Sequence, residues 1–149
     1  MLIRLATPED ADGIIDVYLR ARERMTYLPE VRTPDEIGHY FGQLVLPNRE
    51  VWVAEQDDRV LGFVALGKNS VEHLYVHPWA QSFGVGSALL DRAKTRRPEG
   101  LEAWVYQRSM GAREFLMNRG FELIELTQGD QNEEQEPDAR YAWKPALSG

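Results

Sequence analysis

Residues 71–90 of the chain read VEHLYVHPWAQSFGVGSALL. The first six predict a β-strand, and His77-Pro78 ends it because proline cannot donate a hydrogen bond to a neighbouring strand. Gly84 and Gly86 follow in a short loop, and a helix running to about residue 97 begins at once. Glycines between a strand and a helix start predict a place where the backbone closely approaches a ligand.

This loop has the chemistry of an anion site. The N–H groups in the first turn of a helix lack intrahelical acceptors, and the helix dipole is positive there. A phosphate or pyrophosphate therefore fits this position. Two common nucleotide motifs are excluded, because Leu89 stands where Gly-x-Gly-x-x-Gly needs its third glycine and the loop lacks the lysine of a P-loop.

The flanking sequence predicts alternating strands and helices. Strands are expected at residues 2–5, 51–55, 60–66, 71–76, 101–106, 121–126 and 140–143. Helices are expected after the capping signals Thr7-Pro8 and Thr33-Pro34, and over residues 83–97 and 110–119, where Gly120 ends the last one. The apolar stripe of the second helix comprises Ile37, Tyr40, Phe41 and Leu44. Gly62, inside a strand, predicts a bulge or a close backbone approach.

The order β-α-α-β-β-β-α-β-α-β-β predicts one α/β domain over residues 1–149 with a mixed sheet. The net charge is −7. The absence of cysteine excludes disulfides, thiolate metal sites and a cysteine nucleophile. The three histidines lack metal-ligand spacing on a helix, so no metal is expected. Without a basic patch beyond residues 94–97 or a membrane-length apolar run, we expect neither a nucleic-acid nor a membrane partner and a cytoplasmic location.

Two motifs of the chain are QSFGVG at residues 81–86 and AREFLMNRGF at residues 112–121. The first matches the Gln/Arg-x-x-Gly-x-Gly/Ala signature, and the second resembles the Ala-x-x-Phe-Tyr-x-x-x-Gly-Phe block, of the GNAT (GCN5-related) N-acetyltransferase superfamily. The resemblance implies a mixed, mostly antiparallel sheet of about seven strands flanked by about four helices. It also implies that the parallel strands at 71–76 and 101–106 splay to admit acetyl-CoA.

The activity implied by the resemblance is transfer of an acetyl group from acetyl-CoA to a primary amine of a small molecule or peptide, by direct attack in a ternary complex. A homodimer is common in the family. The cofactor residues implied are Leu74, Tyr75 and Val76 for the pantetheine, the segment Gln81, Ser82, Phe83, Gly84, Val85, Gly86 and Ser87 for the pyrophosphate, and Ser109 and Phe115 near the last helix.

The chain departs from the family pattern at two positions. Ser109 stands where the family often has asparagine, and serine is also a good helix cap. Leu116 stands where the family often has a tyrosine that protonates the departing CoA thiolate. Leucine has no proton to give, so another group, water or an unassisted step remain as alternatives.

Amine acetylation needs a base, because an alkylamine with a pKa of about 10 is mostly protonated at neutral pH. Glu72 and His73 are the candidates, and alternation along their strand predicts that they point to opposite faces. The resemblance implies a base glutamate on this strand at the position that Ser70 occupies here, with Glu72 one step along on the same face.

Tyr27, Tyr40 and Trp79 are candidates for an acceptor pocket. The polar, acidic residues 128–138 predict a solvated loop, and the alternative is that residues 132–138 reach over the acceptor and hold its amine.

Two other functions stay open at this point. One is a CoA-binding regulatory module without catalysis, which would bind acetyl-CoA but release no thiol. The other is an unrelated nucleotide binder, which ATP or NAD would stabilise and CoA would not.

Overall fold

A computed structural model describes residues 1–146, except for the side chain of Ser82. Seven strands form one sheet in the order β1-β2-β3-β4-β5-β7-β6, and every neighbouring pair is antiparallel except β4 and β5. The strands are β1 Leu2–Leu5, β2 Glu50–Gln56, β3 Arg59–Leu66, β4 Ser70–Val76, β5 Leu101–Tyr106, β6 Glu122–Leu126 and β7 Asp138–Trp143. The predicted mixed, mostly antiparallel sheet is confirmed, and its strands agree with the prediction to within two residues at each end.

Helices cover both faces of the sheet. They are α1 Ala11–Glu23, α2 Pro34–His39, α3 Leu46–Asn48, α4 Val85–Arg96 and α5 Met110–Met117. A π-helical segment, Tyr40–Val45, joins α2 to α3, and 3₁₀ turns cover Pro8–Asp10 and Pro78–Phe83. Buried residues of α1 and the π-helical segment pack on one face, and those of α4 and α5 pack on the other.

Alternation along the central strands separates these two cores. On β2, Val51 and Val53 pack with α1, whereas Trp52 and Ala54 pack with α4. Successive side chains of a strand point to opposite faces, so a continuous apolar strand supplies both cores at once.

The second helical region differs from its predicted stripe. Phe41 is buried as expected, but Tyr40 and Leu44 are 41% and 53% exposed, and Val45 is buried instead. The cause is the π-helical segment, because its wider turns rotate the side chains relative to an α-helix. As a result, Tyr40 faces a cavity rather than the core.

Gly62 lies where β3, β4 and α4 are closest to one another. Ala54 pairs with Gly62 but Glu55 pairs with Val60, which leaves one extra residue in a bulge beside the glycine. A Cβ at Gly62 would lie 2.8 Å from the carbonyl oxygen of Tyr75 and 3.1 Å from Cγ1 of Val85. Both roles predicted for this glycine, a bulge and a close approach, are therefore confirmed.

Replacing Gly62 with alanine is expected to lower the free energy of unfolding by about 1–3 kcal/mol, because the Tyr75 carbonyl is backbone and cannot move aside cheaply. Urea unfolding measures the change. Gly111→Ala is the control: a Cβ there meets nothing within 4 Å, and alanine in a helix should add between zero and about 1 kcal/mol. Equal effects of the two substitutions would contradict this account of Gly62.

Candidate active site

The parallel strands β4 and β5 pair only at their beginnings. Ser70 lies opposite Glu102 and Val71 opposite Ala103, and no later pair joins the two strands in the described part of the chain. On its other side, β4 stays paired with β3 as far as Val76. An open seam therefore separates the second halves of β4 and β5, which is the splayed pair that the resemblance implied.

Main-chain groups of β4 face this seam. The N–H of His77 donates to the carbonyl oxygen of Leu61 at 2.8 Å. Since hydrogen-bonded residues alternate along an antiparallel pair, the main chain of Tyr75 also faces β3, and that of Leu74 and Val76 faces the seam. Leu74 and Val76 can thus pair with an extended ligand, whereas Tyr75 can contribute only its side chain.

The first turn of α4 closes one end of the seam. Gly84 precedes α4 with a φ of 77°, and nothing lies within 4 Å of the position that its Cβ would take. A Cβ at Gly86 would lie 3.3 Å from Phe115 Cζ and 3.7 Å from Val76 Cγ2, so this turn sits between β4 and α5. The turn contains no acidic residue, and its free N–H groups can donate hydrogen bonds to the oxygens of a phosphate.

The other predicted cofactor residues surround this turn. The loop before α4 is wound into the 3₁₀ turn Pro78–Phe83, on which Gln81 and Phe83 are exposed. The side-chain amide of Gln81 lies 3.4 Å from the carbonyl oxygen of Val76. Val85 is fully buried and anchors the helix start in the core. The side chain of Ser82 lies outside the described part of the structure.

A cavity of about 870 Å³ lies on the opposite face of the sheet, beneath α1 and α2. It reaches the seam through His73 and Tyr75 of β4 and residues 104–106 of β5. Its aromatic lining consists of Tyr18, Tyr40, Phe41, Tyr75, Trp104 and Tyr106. Its carboxylates are Asp35, Glu36, Glu72, Glu133, Glu134 and Asp138. The volume suits a small ligand or the side chain of a larger one.

Glu72 and His73 both line this cavity. The alternation that would place them on opposite faces does not hold, because Leu66 pairs with Val71 and Ala65 with His73, which leaves Glu72 as the extra residue of a bulge. The carboxylate of Glu72 forms an ion pair with Arg49, and its side chain is 34% exposed. The two candidate bases are therefore neighbours in one site, and one is open to water.

His73 is a neutral residue in an aromatic surrounding. Its Nε2 lies 2.8 Å from the hydroxyl of Tyr40, and the rings of Tyr40, Phe41 and Tyr75 lie within 6.2 Å of the imidazole. Burial lowers the pKa of His73 to about 4. Burial likewise raises the pKa of Tyr40, so both partners are uncharged at neutral pH.

Arg22 organises the deep end of the cavity. It donates to the hydroxyl of Tyr18 and to the carboxylate of Glu134, both at 2.7 Å. The Arg22 and Glu134 side chains are only 18% and 12% exposed. Burial raises the pKa values of Tyr75 and Tyr106, whose hydroxyls stay protonated around this ion pair. Burial opposes ionisation of Glu134, but the hydrogen bonds from Arg22, from the backbone and from Tyr106, together with the charge of Arg22, outweigh it and lower the pKa of Glu134.

The acidic segment 128–138 forms a folded wall of the cavity. The side chain of Asn132 donates to the carbonyl oxygen of Glu136 at 2.8 Å, which closes the segment on itself. Glu133 forms an ion pair with Arg32, and Glu134 pairs with the arginine described above. Residues 128, 130, 131, 133 and 135 are exposed and the segment has no helix or strand before Asp138, so the predicted solvated loop is correct for much of its length. Residues 132–134 and 138 also line the cavity, and their predicted role in holding an amine stays a prediction.

The three predicted acceptor residues do not come together. Tyr40 lines the cavity, but among the described residues neither Tyr27 nor Trp79 does. The hydroxyl of Tyr27 hydrogen-bonds to Oγ of Ser109, whose side chain makes no cap bond to α5. Trp79 lies on the 3₁₀ turn and is 52% exposed. We therefore retain only Tyr40 as a candidate acceptor residue.

Leu116 is 4% exposed and packs in the core with Phe121 and Tyr141. It cannot supply a proton at the seam.

Within residues 1–146, no three histidine, aspartate or glutamate side chains are grouped so that they could hold a metal ion. The same residues include no helix with the length and apolar character needed to cross a bilayer.

Sequence reasoning missed two arginines of the site. Arg22 lies four residues after Tyr18 on α1, so helical spacing from a candidate aromatic residue could have indicated it. Arg119 hydrogen-bonds to Ser87 in the first turn of α4. It lies near α4 only because α5 folds back beside that helix, and no local pattern in the sequence signals this contact.

The lowered pKa of His73 predicts a loss of stability in acid. With a pKa of 6.5 when unfolded and about 4 when folded, only the unfolded chain binds this proton between those pH values. The stabilisation is complete above pH 6.5, and roughly 3 kcal/mol is lost as the pH falls to 4. Urea unfolding at pH 7 and pH 4.5 should show a smaller decrease for His73→Gln than for the wild type. Tyr40→Phe keeps the buried imidazole, so a flattened pH dependence in that variant would contradict the assignment.

Comparison with known proteins identifies the family. The profile described as "Acetyltransferase (GNAT) domain" matches residues 47–123. The chain is 32% identical over 89 residues to the peptidyl-lysine N-acetyltransferase YiaC of Escherichia coli, a match that covers 59% of this chain and 60% of that protein. The chain thus aligns with less than two thirds of that relative's length.

Solved structures share the fold. The apo form of YjaB from Escherichia coli has a TM-score of 0.76 at 24% identity, covering 97% of this chain and 98% of that one. An acetyltransferase from Bacillus anthracis, solved in complex with acetyl coenzyme A, has a TM-score of 0.59 at 20% identity and covers 67% of this chain and 64% of that one. With the seam, the glycine turn and the family profile in agreement, the chain belongs to the GNAT acetyltransferase family.

Proposed function

We propose that this protein is an acetyl-CoA-dependent N-acetyltransferase, which transfers the acetyl group to a primary amine of a small molecule or peptide by direct attack in a ternary complex. The observation that carries the proposal is the seam between β4 and β5. This seam connects the first turn of α4, with its free N–H groups, on one face of the sheet to the acidic cavity on the other face. A donor and an acceptor could therefore meet within the sheet without either having to leave first.

The residues of the donor side fit acetyl-CoA. Leu74 and Val76 offer main-chain donors and acceptors along the seam, which suit the amide groups of a pantetheine arm. The amides from Gly84 to Ser87 would hold the pyrophosphate, because Gly84 leaves the approach open. The cofactor supplies the activated thioester. A main-chain N–H at the seam would stabilise the negative charge that develops on its carbonyl oxygen.

The cavity suits an amine acceptor. The described lining of the cavity contains six carboxylates and two guanidiniums, those of Arg22 and Arg32. Arg49 is not part of this lining, but it forms an ion pair with Glu72. The remaining charge is negative and attracts a cation. The YiaC protein is a peptidyl-lysine acetyltransferase, and lysine is such a cation; small amines share its chemistry.

We assign the base to Glu72 rather than His73. A proton on His73 would place a charge among the rings of Tyr40, Phe41 and Tyr75, and the lowered pKa of His73 indicates that this is unfavourable. A proton on Glu72 removes a charge from a side chain that is open to water. His73 and Tyr40 would instead form a neutral, hydrogen-bonded wall that orients the amine.

The burial of Leu116 favours a second candidate, a CoA-binding module without turnover, because the usual proton donor for the leaving thiolate is absent. A thiol with a pKa of about 8.5 is a tolerable leaving group even when unassisted, so we favour catalysis. Release of free thiol separates the two. Turnover with any member of a panel of monoamines, polyamines and lysine peptides supports the enzyme, whereas CoA binding with no thiol release from the whole panel supports the module.

The donor site predicts opposite effects of Gly84→Asp on stability and on binding. Asparagine and aspartate both tolerate the left-handed backbone of Gly84 and both cap helices, so the pair differs only in charge. Aspartate at the start of α4 should make the free protein at least as stable as Gly84→Asn does. It should nevertheless weaken CoA binding by about tenfold or more, because the pyrophosphate is negative. Calorimetric titration measures both variants, and equal affinities would exclude a pyrophosphate at this turn.

The assignment of the base predicts that Glu72→Gln lowers kcat for an amine acceptor by at least about tenfold, because an amide cannot take the proton. The matched control is Arg49→Gln, which breaks the same ion pair but leaves the carboxylate, and which should retain most of the turnover. Full activity of Glu72→Gln across the pH range would remove Glu72 from this role. Equal losses in the two variants would assign the effect to the ion pair instead.

A further inference from the structure

Arg119 lies directly beside the first turn of α4. Its Nε donates to Oγ of Ser87 at 3.1 Å, and its Nη1 donates to the carbonyl oxygen of Phe115 at 3.1 Å. The guanidinium carbon stands 3.9 Å from the centre of the Phe115 ring. Phe115 in turn is the residue that Gly86 approaches. The guanidinium is therefore fixed against the same turn that leaves its main-chain N–H groups unpaired.

This placement is electrostatically unfavourable in the free protein. The first turn of a helix carries the positive end of the dipole, where anions are stabilising and cations are not. The starts of α1 and α2 follow this rule, with Asp12 in one and Asp35 and Glu36 in the other. The start of α4 has no acidic residue and has a guanidinium beside it.

No carboxylate of the described residues compensates this charge. Nine arginines of this acidic chain form ion pairs with aspartate or glutamate, and Arg119 is not one of them in the part of the chain that the structure describes. Its partners are a hydroxyl, a carbonyl oxygen and an aromatic face. A guanidinium held in this way keeps its charge uncompensated and can pair with a phosphoryl group.

We infer that Arg119 is a cofactor-binding residue that pairs with a phosphoryl group of CoA and adds a side-chain cation to the main-chain groups of the α4 turn. This rests on the proposed function, because it takes CoA as the ligand. CoA offers two such groups, the pyrophosphate and the 3′-phosphate of its ribose. Stacking on Phe115 holds the guanidinium in place before the cofactor arrives, so little side-chain entropy is lost on binding.

Calorimetric titration with CoA, 3′-dephospho-CoA and pantetheine tests the inference. Arg119→Gln should weaken CoA binding by about tenfold, and Arg119→Lys should recover part of this loss because the charge returns. If Arg119→Gln weakens the binding of 3′-dephospho-CoA as much as that of CoA, the partner of Arg119 is the pyrophosphate. If Arg119→Gln weakens the binding of CoA alone, the partner is the 3′-phosphate. Either result supports the inference, provided that pantetheine, which has no phosphate, is unaffected.

The matched control is Arg92→Gln. Arg92 lies on α4 itself and, like Arg119, stacks on an aromatic ring, that of Trp52 at 4.4 Å, but it lies about two helical turns from Gly84. The Arg92→Gln variant should bind CoA with the affinity of the wild type. This result would show that an effect of Arg119→Gln comes from a local contact and not from the loss of one positive charge. Wild-type affinity of Arg119→Gln for CoA would overturn the inference, as would an equal weakening of pantetheine. A wild-type protein that binds none of the three ligands would instead overturn the proposed function.

Discussion

The divergence of β4 from β5 is the constraint on which the rest of the structure depends. Each strand is held firmly by its other neighbour, β4 by β3 as far as Val76 and β5 by β7 along its whole length. The two halves of the sheet therefore remain complete while the contact between them ends at Val71 and Ala103. Main-chain groups that a continuous sheet would satisfy are left facing the seam, and a ligand can take the place of the missing strand contacts.

Two local features prepare the seam for chemistry. Gly62 lets β3 and the start of α4 approach the carbonyl of Tyr75 without a side chain between them, which fixes the end of the seam where the glycine turn lies. The bulge at Glu72 turns its carboxylate into the same cavity as His73. A regular strand would have placed only one of these two groups there, so the irregularity brings a charged and a neutral side chain to one site.

The fold and the position of the glycine turn before α4 could be predicted from the sequence, because their signals are local. Alternation, capping residues and the glycines 84 and 86 determine the strands, the helix starts and this turn. The acceptor side could be predicted only in part. Tyr40 enters the cavity through a π-helical segment, and Glu72 through a bulge, and neither irregularity has a recognisable pattern in the sequence.

Contacts between distant segments were beyond sequence reasoning altogether. Arg22 and Glu134 are 112 positions apart, and Arg119 and Ser87 are 32 apart. The identity of a residue does not specify its partner at such distances. Tyr27 and Trp79 show the converse, because their aromatic character suggested a pocket, whereas the fold places one against Ser109 and the other on an exposed turn.

The two faces of the seam carry opposite charges, and this arrangement matches the two substrates of the proposed reaction. The α4 turn and Arg119 are positive and suit the phosphates of the donor, whereas the carboxylates of the cavity suit an ammonium ion. In the proposed reaction, each substrate would be attracted to its own face and disfavoured on the other. Where the cavity meets the seam it carries neutral groups, the Tyr40–His73 pair and the half-buried Tyr75 and Tyr106. In the proposed reaction these neutral groups would favour the uncharged amine over the ammonium ion at the seam, and the uncharged amine is the form that can attack a thioester.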